Sequence, residues 1–473
     1  AMDSTCATHR HYPCSHRGYT LKKQIGRGSY GKVYKAHVCD LDWEKFHEAA
    51  KKNGVSQSSI DALKTAGFEK TPQGLLEVSD DEMSNMEGIK KDEIDAIFKA
   101  VVSSRTETKD LVAIKILNED CNDWQTVQQE IHIMHDIHHA NIVRVYSAFL
   151  RNGAMDQIWV VMPLLAIGSL RTLMREIPEF KCGIKDPKLL AAILKQTISA
   201  LAYLHEDGRA HRDLKASNIL MSEDGEVKLG DFGVTSDRCL STMKSFVGTA
   251  CFMAPEIIAS LKTHGPKADI WSFGITALEL AYGHAPYAYL DNKDCFELTL
   301  HHPAPSCRSY SKRHKRLPRS FQKMVEKCLQ KNPKNRPTAN QILSEAFLKN
   351  AKGSEYIAEH CIKPILEIRK KDCCEEEKEI DSGADDHRLW MIPCGSFRLP
   401  KTVSDERKKQ GTKLVRQRSG RNVGKENKVE NNKCTRSEGT ILMRSETQKA
   451  KSQKRWRWFL RHLAGDDADF SED

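Results

Sequence analysis

The stretch His211-Arg-Asp213-Leu-Lys215-Ala-Ser-Asn218 decides how this 473-residue chain is interpreted. It places a carboxylate, a cation and an amide within a few residues of one another. Thirteen residues after Asn218 comes Asp231-Phe-Gly233, whose aspartate is suited to hold a divalent metal ion. Either stretch alone is also explained by ordinary polar loop residues. Their order and spacing together predict a site that transfers a phosphoryl group by positioning and charge neutralisation.

The chemistry assigns a role to each residue of this site. Asp213 is predicted to orient a substrate hydroxyl and accept its proton, and Lys215 to neutralise the transferred phosphate. Asn218 and Asp231 are the predicted magnesium ligands. The sequence therefore predicts Asp213 and Lys215 as catalytic residues, with ATP and Mg²⁺ as cofactors.

A glycine-rich turn near the start of the chain is the predicted phosphate-binding element. It is formed by Ile25-Gly26-Arg27-Gly28-Ser29-Tyr30-Gly31-Lys32-Val33. Because strand patterns lie on both sides of it, a dinucleotide fold, with its strand followed by a helix, is not indicated. Glycines let backbone amides approach phosphates, and Val33 would cover the adenine. Alone the turn is weak evidence, but all nine residues are predicted to contact ATP.

Lys115 ends the apolar strand pattern Val112-Ala-Ile-Lys115. A lysine at such a place is usually only a strand-end charge. In a phosphoryl-transfer site it would hold the α- and β-phosphates, oriented by a glutamate on a helix. Glu130 is the predicted partner because an apolar helical pattern follows it. Glu119 follows the strand too closely to lie on that helix.

These motifs, in this order, resemble the eukaryotic protein kinase family over residues 19–348. The resemblance implies an α+β, bilobal fold with a β-rich N-lobe, a helical C-lobe and ATP between them. It also implies that Ala113, Met162 and Leu220 contact ATP. Asp213-Leu-Lys215 and Gly248-Thr249 are typical of the serine/threonine branch, so protein serine and threonine hydroxyls are the implied acceptors.

Residues 130–143, 246–256, 267–280 and 328–339 resemble the sterile-twenty-like kinases of the germinal-centre group. The closest resemblance is to the oxidative-stress-responsive and proline-alanine-rich kinases, which implies a stress or signalling cascade and an upstream activating kinase. Ala250 and Phe252 depart from the proline and tryptophan usual in that family. The tail also lacks a clear match to its docking domain, so no cotransporter substrate is inferred.

The kinase resemblance implies an activation segment between Asp231 and Glu256. Its regulatory phosphosite is predicted at Ser245, with Arg212 as the cation that binds the phosphate. Glu256 is expected to pair with Arg336 and hold the end of the segment. Asp269 is expected to begin a helix and to reach back to the backbone of the catalytic loop.

Residues 40–104 interrupt the N-lobe pattern and predict a helical insert. Charged residues with spaced apolar ones indicate four or five short helices with a small core of their own. Residues 75–94 loosely resemble the second half of a SAM domain. The alternative is a helical insert specific to this family.

The ends of the chain are predicted to be loose. Residues 1–18 are polar and predicted to be flexible, and residues 370–473 are predicted to form a disordered, low-complexity basic tail. Between Phe397 and Arg461 this tail holds 20 Lys and Arg residues against 6 Asp and Glu, whereas its last residues are acidic. Its basic part predicts binding to polyanions or, through Trp456–Leu463, to an anionic membrane surface. The alternative is a solvated tail that binds neither. No specific nucleic-acid recognition is expected.

The sequence shows neither an apolar run of membrane-spanning length nor an apolar secretory segment. Its 15 cysteines include no C-x-x-C pair, which predicts reduced thiols and a cytoplasmic location, with nuclear access through the basic tail. The competing interpretation of the chain is a pseudokinase-type scaffold that binds partners without transferring phosphate. It is disfavoured because the set Lys115, Glu130, Asp213, Asn218 and Asp231 is complete.

Overall fold

The computed structural model describes residues 12–28, 31–118, 131, 134–151, 157–230, 250–260, 265–310 and 317–375. These residues divide into two compact units. The first contains the described residues up to 138 together with 143–164. The second contains residues 139–142 and the described residues from 165 onward.

The first unit is built on a five-stranded antiparallel sheet. Its strand order is β1-β2-β3-β5-β4, and the strands are β1 (Tyr19–Gly28), β2 (Gly31–Leu41), β3 (Arg105–Asn118), β4 (Ser147–Arg151) and β5 (Gln157–Pro163). Gly28 and Gly31 are paired at the β1–β2 turn. A side chain at Gly31 is excluded because its Cβ would lie 2.1 Å from the carbonyl oxygen of Ile116.

One face of this sheet carries the apolar core of the unit. Alternate residues of β3, among them Val112, Ile114 and Ile116, pack there with Tyr19 and Trp159. Because successive side chains of a strand point to opposite faces of the sheet, the residues between them, including Lys115, lie on the other face.

The predicted helical insert is confirmed. It lies between the end of β2 and the start of β3, which are paired with each other in the sheet. It consists of α1 (Trp43–Lys52), α2 (Gln57–Thr65), α3 (Asp80–Ser84) and α4 (Ile94–Ser104), with 3-10 turns at Pro72–Leu76 and Lys91–Glu93. Phe46, Ile60 and Ile97 are fully buried in a core separate from that of the sheet. The likeness to a SAM domain stays a prediction.

The predicted flexible N-terminus is wrong for residues 12–18, because Arg17 is anchored in the insert. Its guanidinium donates hydrogen bonds to the carbonyl of Val78 at 2.7 Å and to Asp80 Oδ1 at 2.5 Å. It also lies 3.5 Å from the ring centroid of Phe98. Arg105 donates to the carbonyl oxygen of Arg17 at 2.7 Å, so this short segment is fixed between β3 and the insert.

The second unit is mostly helical, with a small three-stranded sheet. Its strands are β6 (Gly168–Ser169), β7 (Ile219–Met221) and β8 (Val227–Leu229); its first helices are α5 (Leu170–Glu176), α6 (Pro187–Glu206), α7 (Pro255–Ser260) and α8 (Pro266–Tyr282). They are followed by α9 (Asn292–His301), α10 (Arg319–Cys328), α11 (Ala339–Leu343), α12 (Ala346–Lys349), α13 (Ser354–Ile357) and α14 (Lys363–Glu375). Every residue of α8 from Ala268 to Tyr282 is buried, which makes it the central helix of the unit.

One predicted boundary needs correction at the C-terminal end. The loose tail was predicted to begin at residue 370, but beyond the predicted kinase domain, which ends at residue 348, α13, a π-helical turn (Ala358–Ile362) and α14 continue to Glu375. Arg369 binds Glu176 at 2.9 Å and the carbonyls of Ala166 and Ile167 at 3.0 and 2.9 Å. These contacts, with the fully buried Ile365, hold the last helix on the unit. Residues 376–473 lie outside the described residues.

The prediction of reduced thiols is wrong for one cysteine. Cys182 is disulfide-bonded, whereas the other cysteines with described side chains form no disulfide. The sequence did not reveal this bond because no pair of cysteines has a diagnostic spacing.

Among the described residues, no helix combines the length and the apolar character needed to cross a bilayer.

Candidate active site

The three residues predicted to form the catalytic loop come together between α6 and β7. Lys215 Nζ lies 3.0 Å from Oδ1 and 2.8 Å from Oδ2 of Asp213. Asn218 Nδ2 donates to Asp213 Oδ2 at 2.9 Å and to the Asp213 carbonyl at 2.7 Å. The Asp213 carboxylate is therefore held in place by a cation and an amide.

The contacts of Asn218 also orient it as a metal ligand. Because its Nδ2 donates twice to Asp213, its Oδ1 is left as the acceptor, and the hydroxyl of Ser217 lies 3.3 Å from it. An amide oxygen is a hard ligand of the kind that Mg²⁺ prefers. The donor atom present thus fits the predicted metal.

His211 connects the catalytic loop to the residue before Asp231. Its Nδ1 accepts a hydrogen bond from the Asp213 N–H at 3.2 Å, and its Nε2 donates to the Gly230 carbonyl at 3.1 Å. The Gly230 N–H in turn donates to the Asn218 carbonyl at 2.9 Å. The chain therefore reaches position 231 from a point fixed to the catalytic loop.

Asp269 reaches back to the catalytic loop as the sequence predicted. It is fully buried and accepts hydrogen bonds from the N–H groups of His211 at 2.7 Å and Arg212 at 2.8 Å, and from His205 Nε2 at 2.9 Å. Burial raises the pKa of Asp269, but the hydrogen bond and charge of His205, together with the charge of His211 and the Arg212 N–H, outweigh it, so the pKa lies below its ordinary value. Arg212 has a φ of 72°, a strained conformation for a residue other than glycine, which these bonds hold in place.

The predicted pair of Glu256 and Arg336 is confirmed. Two parallel bonds join Nη1 to Oε1 and Nη2 to Oε2, each at 2.7 Å. The Arg336 side chain is completely buried, while that of Glu256 is 25% exposed. The pair fixes the start of α7 in the second unit.

Four of the predicted ATP-binding residues of the first unit share one face of the sheet. Val33 is paired with Lys115 across β2 and β3, and Ala113 is paired with Met162 across β3 and β5. Directly paired residues point to the same face, as do residues two apart. These four side chains therefore lie together, opposite the apolar core.

The remaining predicted residues fall into two groups. The structure places Ile25, Gly26, Arg27, Gly28, Gly31 and Lys32 in the β1–β2 hairpin and Leu220 in β7. The predictions for Ser29, Tyr30, Glu130, Asp231 and Ser245 lie outside the described residues.

The sequence did not predict several residues that contact the catalytic loop or the aspartate that holds it. His205 lies at the end of an apolar helix, and Thr276 and Glu279 lie inside α8. The available signal was a set of polar residues at one helical spacing within an otherwise apolar helix. Such a pattern indicates buried polar contacts but does not identify their partners.

The comparisons with known proteins agree with this site. Residues 97–348, more than half of the chain, match the protein kinase domain family. The glycine-rich turn lies before this match, on the other side of the insert. This chain belongs to the protein kinase family.

Several curated kinases resemble the chain over the same region. Serine/threonine-protein kinase fray2 of Dictyostelium discoideum is 39% identical over 257 residues, which cover 53% of this chain and 24% of that protein. Germinal center kinase 3 of Caenorhabditis elegans is 36% identical over 291 residues, covering 58% and 48%. Serine/threonine-protein kinase ppk11 of Schizosaccharomyces pombe is 34% identical over 258 residues, covering 54% and 77%. The match thus spans less than half of the first two relatives, and the chain resembles Ste20-like kinases.

Proposed function

We propose that this chain is a serine/threonine protein kinase that transfers the γ-phosphate of ATP to protein hydroxyls. The observation that carries the proposal is the arrangement of Asp213 between Lys215 and Asn218, within 3.0 Å of both. The names of the similar proteins support the class of acceptor. A place in a stress or signalling cascade is a further part of the proposal.

The proposed reaction uses Asp213 as the acceptor of a proton. The hydroxyl oxygen of a serine or threonine bonds to the γ-phosphorus as the bond from that phosphorus to the β–γ bridging oxygen breaks. The hydroxyl proton passes to the Asp213 carboxylate, and ADP leaves with the electron pair of the broken bond. Lys215, beside that carboxylate, neutralises the charge on the transferred group.

The remaining residues position ATP and its metal. Lys115 would bind the α- and β-phosphates, and the backbone of the glycine-rich turn would approach them closely because it has no side chains at its glycines. Asn218 and Asp231 would hold Mg²⁺. The ion would supply neutralisation of phosphate charge when bound.

Comparing wild-type protein with Lys115→Met tests the proposal. The wild type should transfer ³²P from γ-labelled ATP to serine and threonine of a generic basic protein. The methionine variant should fold but lose transfer, because the phosphates are no longer positioned. A folded wild type that binds Mg-ATP without transferring phosphate, before and after treatment with an upstream kinase, would instead support the pseudokinase-type scaffold.

Activation is proposed to follow phosphorylation of Ser245 by an upstream kinase. The supporting argument is sequence position and charge: a phosphate adds about −1.5 to −2 charges and strong acceptor oxygens. Arg212, next to Asp213, is the proposed partner. Ser245→Ala should lower activity after treatment with an upstream kinase, and Ser245→Asp should restore part of it. Full activity in Ser245→Ala, with loss in Thr242→Ala, would assign the site to Thr242.

The other proposed partners are protein substrates and, through the basic tail, polyanions or an anionic membrane surface. Tail truncation should reduce salt-sensitive retention on heparin and on anionic vesicles. Equal retention of truncated and full-length protein would contradict this part. The cytoplasmic location, with nuclear access, stays a prediction.

A further inference from the structure

Helix α8 carries three buried polar side chains on the side that meets the catalytic loop. Asp269 and Thr276 are 0% exposed and Glu279 is 3% exposed. Their spacings of seven and three residues place them along one stripe of the helix. Buried polar atoms are normally hydrogen-bonded, and these three residues find partners in the backbone of the loop.

The contacts follow the order of the loop. Asp269 holds its first residues through two N–H groups. Further along, Thr276 Oγ1 lies 3.3 Å from the Leu214 carbonyl oxygen and 2.8 Å from a carbonyl oxygen of its own helix. Glu279 Oε2 then accepts a hydrogen bond from the Ala216 N–H at 3.0 Å. Successive turns of α8 thus support successive parts of the loop.

Ala216 lies at a position of the catalytic loop where a backbone shift would move catalytic side chains. It follows Lys215 directly and begins the 3-10 turn that ends at Asn218. Because Ala216 is fully buried, water cannot replace a lost partner of its N–H group. A shift of the peptide between Lys215 and Ala216 would move the two side chains that hold Asp213.

We propose that Glu279 is a positioning residue for phosphoryl transfer. Its hydrogen bond to Ala216 fixes the turn that directs Lys215 and Asn218 at the carboxylate of Asp213. This inference rests on the proposed kinase function. Glu279 acts through the backbone of the loop, so its loss should lower kcat more than it changes the KM for ATP.

The proposed role of Glu279 depends on the oxygen that accepts the hydrogen bond and not on the negative charge of the carboxylate. Burial raises the pKa of this carboxyl above its ordinary value, although the Ala216 N–H and the positive charges of Arg171 and Lys215 oppose the change. A negative charge is therefore costly at this position. An amide supplies the same acceptor oxygen without the charge, so glutamine should replace glutamate.

The test compares Glu279→Gln with Glu279→Asp in the full chain. Glutamine keeps the acceptor in place, whereas aspartate keeps the charge and draws the acceptor back by one methylene. The aspartate variant should lose about 10²-fold in kcat, the order expected when a catalytic group is misplaced by about 1 Å. The glutamine variant should stay near wild type. Glu297→Gln, at an exposed position of α9, is the matched control.

Hydrogen exchange at residues 214–218 gives a measurement independent of activity. The Ala216 amide should exchange slowly in wild type and Glu279→Gln, and faster in Glu279→Asp. The inference is overturned if glutamine lowers kcat as much as aspartate, if both variants match wild type, or if kcat falls without faster exchange. If the wild type transfers no phosphate, the proposed function fails, and exchange still shows whether Glu279 holds the loop.

Discussion

Substituting Arg336 by alanine should destabilise the second unit strongly. The guanidinium makes five hydrogen bonds: two to Glu256 and one each to the carbonyls of Gln330, Lys267 and Lys331. It is completely buried, so the alanine variant leaves three carbonyls and a carboxylate without this partner. The Glu256 side chain is 25% exposed, and water can solvate part of the carboxylate.

The expected loss follows from this geometry. Breaking a buried ion pair costs about 3–5 kcal/mol. Because Glu256 is partly solvated, we expect the lower end, about 3 kcal/mol. For a unit of this size that corresponds to a fall in Tm of roughly 6–12 °C. Arg336→Lys should lose less, since the charge remains while the two parallel bonds do not.

A double-mutant cycle with Glu256→Ala measures the pair itself. Urea unfolding of wild type, both single variants and the double variant should give a coupling free energy of about 2 kcal/mol. Lys327→Ala is the control. Its ion pair with Glu345 spans 2.6 Å, but the lysine is 56% exposed, so its loss should cost less than about 1 kcal/mol.

Two results would refute this reasoning. One is an Arg336→Ala variant whose free energy of unfolding lies within about 0.5 kcal/mol of wild type, the effect of an ordinary surface substitution. The other is a cycle in which the two single effects add within about 0.5 kcal/mol, as they do for independent sites. Either would show that the bonds between Arg336 and Glu256 contribute little to the fold.

Two further predictions concern the insert. Replacing residues 42–104 with Asn-Gly should spare phosphoryl transfer, because Leu41 and Arg105 are directly paired and a two-residue turn can join them. A deletion variant that does not fold would show that the sheet needs the insert. Burial raises the pKa of Glu93, but hydrogen bonds from Ser56, Ser59 and Lys90 outweigh it and lower the pKa to about 2. This stabilisation is therefore present above pH 4.5 and lost as the pH falls towards 2. Glu93→Gln should flatten the fall in unfolding temperature over that range, and an unchanged slope would contradict the assignment.

The catalytic loop could be predicted because its chemistry requires particular residue types at close spacing. Asp213, Lys215 and Asn218 lie within one loop, so sequence proximity already places them near one another. The pairing of Glu256 with Arg336 was predictable only from the kinase resemblance, because 80 positions separate them. The motifs therefore indicated the site before its geometry was known.

The two ends of the fold could not be predicted because distant contacts hold them. Arg17 is fixed by Asp80, 63 positions away, and Arg369 by Glu176, 193 positions away. The sequence beside each arginine does not identify its distant partner. Hydrophobic patterns reveal which residues favour the interior, but they do not reveal where a charged residue finds its partner.

The supporting role of α8 was only partly predictable. Asp269 was indicated by the kinase resemblance, whereas Glu279 lies in a helix that is buried on every side. An all-round apolar helix predicts a central position without showing which neighbours its few polar side chains contact. The bond between Glu279 and Ala216 becomes visible only when the loop and the helix are placed together.

Phosphate transfer by wild type and Asp213→Asn, measured alongside Mg-ATP binding, tests the central claim most directly. Both proteins should bind Mg-ATP with similar Kd, and the wild type should label serine and threonine of a basic protein. Asparagine cannot accept the hydroxyl proton, so kcat should fall by about 10²- to 10⁴-fold. Equal rates in the two proteins, or no transfer by a wild type that binds Mg-ATP, would contradict the account.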